Sequence, residues 1–123
     1  MYAAQKNADT ATAPVAAISA TFTAEPVEDT LAFWFEELGL ECRVEFAPYN
    51  QVFQQLLDPA SLLATNANGV NILLIRFDDW ANSGGEMRLE EAAQQFVTGL
   101  RAAVARWRSP VIVALCPCSP AFT

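Results

Sequence analysis

The sequence predicts an α/β protein with a doubly wound parallel sheet, a three-layer α/β/α arrangement with helices on both faces. Three observations carry this expectation. Short apolar runs alternate with segments of helical periodicity, in the order strand, helix, strand, helix, strand, helix, strand. Three of the four strand-like runs, at 15–20, 70–77 and 110–116, are almost continuously apolar, as strands covered on both faces are. The 123 residues, 53% of them hydrophobic, suit one domain with a full core.

Val15 to Ala20 (VAAISA) reads as the first strand, and Thr21 to Glu25 as a turn. Pro26 suits the first turn of a helix, where its missing N–H costs nothing. Glu25, Glu28 and Asp29 lie near the positive end of that helix. Leu31, Trp34, Phe35 and Leu38 form its apolar stripe, and Gly39 stops it. Cys42 to Ala47 alternates apolar and charged residues, which predicts a strand with one wetter face near a sheet edge. Val52, Phe53, Leu56 and Leu57 give Asn50 to Leu57 a helical period. Asp58-Pro59 breaks it, Ser61 to Ala64 forms a further helical turn, and Asn66 to Gly69 (NANG) is turn chemistry.

Val70 to Phe77 is the expected central strand, followed by Asp78-Asp79-Trp80 and a flexible loop at Ala81 to Gly85. Arg88 to Trp107 is the longest predicted helix, with Leu89, Ala93, Phe96, Leu100, Val104 and Trp107 on one face. Glu86, Glu90 and Glu91 at its start and Arg101, Arg106 and Arg108 at its end match the helix dipole. Pro110 to Cys116 is the fourth strand. Trp34 and Trp80 are expected to pack in the core. Residues 1–14 read as a disordered leader or linker and 15–123 as the domain. Doubly wound domains usually add a helix after such a strand. A segment of a longer polypeptide, truncated after the fourth strand, is therefore expected.

Composition excludes several function classes. Without histidine, the chain itself cannot supply a Ser-His-Asp or Cys-His device or a histidine-ligated zinc site. A net charge of -7, from 14 acidic and 7 basic residues, argues against nucleic acid as a partner. No apolar run approaches a membrane span, and the first residues lack the basic-then-apolar pattern of a signal peptide. No membrane partner is expected, and a cytoplasmic location is the default. Three cysteines do not suggest a disulfide framework. Cys116-Pro117-Cys118 is a weak signal for a soft metal or a redox pair, and ordinary thiols are expected there. No cofactor and no metal are expected.

In an open parallel sheet, ligands bind beyond the carboxyl ends of the strands, where the strand order reverses. That rule selects Thr21-Phe22-Thr23, Pro48-Tyr49-Asn50, Asp78-Asp79-Trp80 and Cys116 to Ser119. The candidate crevice residues are Thr21, Thr23, Tyr49, Asn50, Asp78 and Asp79. A threonine hydroxyl there can meet a ligand or act as a weak nucleophile, and helix capping is its plainer role. Consecutive aspartates can hold a hard cation. The plainer expectation has Asp79 capping a turn and Asp78 solvated. No Gly-rich phosphate loop is present. A HAD-type phosphatase would carry an acidic nucleophile after its first strand, where this chain has Ser19-Ala20-Thr21.

Residues 46–59 (FAPYNQVFQQLLDP), with 18–23 (ISATFT) upstream and 71–80 (NILLIRFDDW) downstream, resemble a domain embedded in modular polyketide synthases and non-ribosomal peptide synthetases. The stretch is similar to the N-terminal SGNH-hydrolase-like part of FkbH-like proteins, which load glyceryl units onto carrier proteins. The resemblance covers about residues 15–116. It implies a flavodoxin-like fold of strand order 2-1-3-4-5, here 2-1-3-4. An active SGNH enzyme carries Gly-Asp-Ser after its first strand, where this chain reads Ala20-Thr21-Phe22-Thr23. Gly-x-Asn-Asp after the third strand is replaced by Arg76-Phe77-Asp78-Asp79, and no late Asp-x-x-His follows.

The expectation is therefore a non-catalytic accessory, linker or docking domain of a modular synthase, with no catalytic residue of its own. It would position neighbouring domains or an acyl or peptidyl carrier protein. Carrier proteins are usually acidic, so a carrier contact needs a basic patch such as Arg101, Arg106 and Arg108. The rival is an acyl-transfer or ester-hydrolysing enzyme of degenerate SGNH type. It would use Thr21 or Thr23 with Asp78 and residues outside this chain.

Overall fold

A computed structural model describes residues 13–81 and 88–117. The leader expected at 1–14 lies outside the described residues except for Ala13 and Pro14, as do most of the loop expected at 81–85 and Cys118. Four strands, β1 (Val15–Ala20), β2 (Arg43–Phe46), β3 (Gly69–Ile75) and β4 (Val111–Leu115), form one sheet. The helices are α1 (Val27–Glu37), α2 (Val52–Leu57), α3 (Leu62–Thr65), α4 (Phe77–Ala81) and α5 (Leu89–Arg106).

The sheet order is β2-β1-β3-β4 and every pairing is parallel, as expected for the doubly wound fold. The order fixes where the helices lie. The step from β1 to β2 runs one way, while those from β2 to β3 and β3 to β4 run the other. Right-handed crossovers therefore place α1 on one face and the remaining helices on the opposite face. The main core forms under the second group. Ala17, Leu73 and Ile75 from the sheet meet Val52 and Leu56 of α2, Leu63 of α3, Trp80 of α4, and Ala92, Phe96 and Ala103 of α5. Trp80 anchors this layer, with ring centroids 5.3 Å from Phe53, 5.9 Å from Phe77 and 5.6 Å from Phe96.

Two expectations about faces and one about an element boundary are corrected. The stripe on α1 is not a core face: Leu31 and Phe35 are half-buried, whereas Trp34 and Leu38 are exposed. The cause is topological, since two of the three crossovers use the other face and, among the described residues, no helix packs beside α1. The buried face of α5 is rotated from the expected one. Ala92, Phe96, Gly99 and Ala103 are buried, while Val104 is exposed. Small residues let α5 approach α2 closely, and a β-carbon added at Gly99 would sit 3.3 Å from Leu56 Cδ1. Finally, the central strand ends at Ile75 and Phe77, expected to close it, instead opens helix α4, which carries Asp78-Asp79-Trp80 with Trp80 in the core as expected.

The amino-terminal end of the sheet is closed by buried polar side chains. The Asn66 amide nitrogen faces the Val15 carbonyl at 3.0 Å, the Val70 carbonyl at 3.3 Å and Asn71 Oδ1 at 3.1 Å. Asn71 Nδ2 donates to the Leu63 carbonyl at 2.9 Å, and Ser109 Oγ donates to the Asn66 carbonyl at 2.7 Å. Asn66, Asn71 and Ser109 thus satisfy one another and the nearby carbonyls, as burial requires. The turn expected at 66–69 is built on these contacts, and its glycine opens β3.

Candidate functional site

β1 and β3 are adjacent, and β2 and β4 flank them, so the strand order reverses between β1 and β3. Thr21 follows β1 directly, and Arg76 follows β3. Their backbones join first. The Thr21 N–H donates to the Leu74 carbonyl at 3.1 Å, extending the ladder past the strand ends. Thr21 Oγ1 accepts from the Arg76 N–H at 3.0 Å and donates to Asp79 Oδ2 at 2.8 Å. Arg76 closes the ring. Its Nε lies 3.1 Å from each oxygen of Asp79, and its terminal nitrogen is 2.8 Å from Oδ1. The helical turn makes this possible, since Asp79 stands three residues after Arg76 and its N–H donates to the Arg76 carbonyl at 3.0 Å.

Two further groups complete this clasp. The Arg76 guanidinium carbon lies 5.0 Å from the centroid of the Phe22 ring, a cation–π distance. Asp78 Oδ1 is 3.4 Å from Arg76 Nε. Asp78 is only 4% exposed, so the expectation of a solvated Asp78 is corrected. Starting α4 immediately after β3 turns that side chain inward. Asp79 does not act as a simple turn cap either, because it pairs with Arg76 and Thr21. The Arg76 guanidinium is held charged above its ordinary range, chiefly by the hydrogen bonds to Asp79. Cys116 follows β4 at the same end. Partial burial pushes its thiol pKa up, against the opposing pull of Arg76, so the thiol stays protonated at neutral pH.

Of the six candidate residues, the structure joins Thr21, Asp78 and Asp79 through Arg76. Thr23, Tyr49 and Asn50 are exposed and take no part in the clasp. Asn50 adopts a left-handed φ of 53°, which asparagine tolerates. Arg76 is the clasp residue that the sequence pattern did not single out. Its signal was a single charge ending an apolar strand, three residues before an aspartate.

The geometry limits the chemistry. Thr21 is 1% exposed, so its oxygen offers no approach to an external carbonyl. Its proton and one of its two lone pairs are engaged, by Asp79 and by the Arg76 N–H, and both Asp79 oxygens face Arg76. A nucleophile must also reach the carbonyl it attacks, and burial denies Thr21 that access. Thr21 meets Asp79 rather than Asp78, the partner that a degenerate hydrolase was expected to use. Among the described residues, no three cysteine, aspartate or glutamate side chains come together to hold a metal ion. A groove of 620 Å³ lies elsewhere, between α2 and α5, and none of the six candidates lines it. Among the described residues, no helix is long and apolar enough to cross a membrane. Comparison with family models, curated proteins and solved structures found no match to this chain.

Proposed function

We propose that this chain is a non-catalytic accessory, linker or docking domain of a modular polyketide or non-ribosomal peptide synthase, acting in the cytoplasm. The observation that carries the non-catalytic part is the Thr21–Asp79–Arg76 clasp. At the place where the fold ordinarily receives a ligand, the polar side chains bind one another. The assembly-line context rests on the resemblance of residues 46–59 and their flanks.

A carrier contact would use the far end of α5. That helix returns from the carboxyl end of β3 to the amino end of β4, so its basic terminus lies opposite the clasp. Arg106 is partly committed there, donating to the Leu56 carbonyl at 2.6 Å. Arg101 and Arg108 remain exposed for an acidic partner. Titration of the chain with its cognate carrier should move amide resonances around Arg101 and Arg108. An Arg101→Glu, Arg108→Glu variant should abolish those shifts. Absence of shifts at high carrier concentration rejects the carrier contact. Acyl release that is lost on Thr21→Ala rejects the non-catalytic reading.

A further inference from the structure

The segment from Glu25 to Glu41 carries six acidic residues and no basic one. The whole chain has a net charge of -7, so this helix and its flanks hold nearly all of it. The same segment exposes large apolar side chains: Phe33 is 55% exposed, Trp34 54% and Leu38 66%. The Phe33 and Trp34 rings touch edge to face, with centroids 5.3 Å apart at 82°. Helical spacing arranges them in two adjacent rows. Asp29, Phe33 and Glu37 form one row, and Thr30, Trp34 and Leu38 form the other. An aromatic and aliphatic ridge is thus bordered by carboxylates.

Local stability does not explain this pattern. Glu36 and Glu37 occupy the last turn of α1, which has no basic residue. The carbonyl end of a helix repels negative charge. Nor does the core need Phe33, Trp34 or Leu38, since α1 contributes no buried residue. Apolar surface and unfavourably placed charge coincide on one face.

We infer that this face of α1 docks a basic amphipathic helix, one with an apolar stripe flanked by lysine or arginine. The stripe would cover Phe33, Trp34 and Leu38, and the cations would meet Asp29, Glu36 and Glu37. The Trp34 ring also favours a neighbouring cation. The other occupants are disfavoured by charge. A second copy would bring the same carboxylates face to face, and an anionic bilayer, a nucleic acid or an acidic carrier would be repelled. The inference stands independently of the synthase reading, because it uses neither the clasp nor α5.

The test uses the full chain and a synthetic 18-residue helix of leucine and lysine, with a leucine and glutamine helix as control. Trp34 is the exposed reporter, since Trp80 and Trp107 are buried. The lysine peptide should shift tryptophan emission to shorter wavelength and bind at least about tenfold more weakly at high salt. With a labelled peptide, Phe33→Ser/Trp34→Ser should weaken binding by about tenfold or more. Asp29→Asn/Glu36→Gln/Glu37→Gln should weaken it several-fold and remove most of the salt dependence. Circular dichroism checks that both variants fold, as substitutions of exposed residues should. Four results would overturn the inference: no binding, equal binding of the glutamine peptide, unchanged binding by either variant, or concentration-dependent self-association through Phe33 and Trp34 in sedimentation.

Discussion

Two buried hydroxyls at the end of β1 have opposite consequences. Thr21 Oγ1 accepts the Arg76 N–H and donates to Asp79. Ser19 Oγ is fully buried and, among the described residues, has no hydrogen-bond partner. Removing a paired hydroxyl leaves its partners desolvated, whereas removing an orphan relieves a penalty. Thr21→Val should therefore lower stability by about 1–3 kcal/mol in urea unfolding, and Thr21→Ser should restore most of the loss. Ser19→Ala should be neutral or raise stability by up to about 1 kcal/mol. A Thr21→Val protein as stable as the parent would mean that the clasp contributes nothing. The positions of Thr21 and Asp79 were legible in the sequence, because ligand-side residues follow strand ends. Their role was not legible. It depends on Arg76 reaching both carboxylate oxygens, a contact set by how α4 leaves β3.

At the scale of elements, strand positions were accessible from apolar runs, their order came only from the family resemblance, and the faces of helices were not accessible. Periodicity marks which residues share a face but says nothing about what covers it. That failed for Trp34 and Leu38 on α1, where no second helix arrives among the described residues. On α5 it undervalued Ala92, Gly99 and Ala103, whose small size, more than their hydrophobicity, brings α2 close. Gly69 carries a related constraint that turn chemistry only hinted at. It opens β3 beside Val15 of β1, with φ at 141°. A β-carbon there would meet the Val15 nitrogen at 2.6 Å and its carbonyl carbon at 2.8 Å, both backbone atoms that cannot yield without moving β1. Gly69→Ala should cost more than about 3 kcal/mol, a large share of a typical domain's stability. Gly39→Ala is the control. It also has a positive φ, 70°, but nothing lies near its β-carbon. It should cost only about 1–2 kcal/mol. Equal losses in thermal unfolding would show that backbone conformation dominates and that contact with β1 does not.

Across the whole molecule, charge is segregated. Subtracting the six carboxylates of 25–41 from the net charge of -7 leaves -1 for the other residues, so the remainder is close to neutral. α1 therefore carries its own electrostatic burden, and the two ends of the helix experience it differently. Glu28 and Asp29 sit in the first turn, where the dipole welcomes them, while Glu36 and Glu37 sit in the last, where it does not. If the docking face is kept for a partner, the isolated chain should gain stability when the unfavourable pair is removed. Glu36→Gln and Glu37→Gln should each stabilise by about 0.3–1 kcal/mol at low ionic strength. The gain should fade toward 1 M salt, where screening shortens the reach of charge to about 3 Å. Glu28→Gln, at the other end of the same helix, should lose stability under the same conditions. Chemical unfolding of the three variants at low and high salt separates the cases. If all three gained alike, general repulsion within the acidic segment would be responsible and the position along α1 would not matter. If Glu36→Gln and Glu37→Gln lost stability, the carboxylates would be serving the fold of α1 itself, and the charge argument for a basic partner would fall with them.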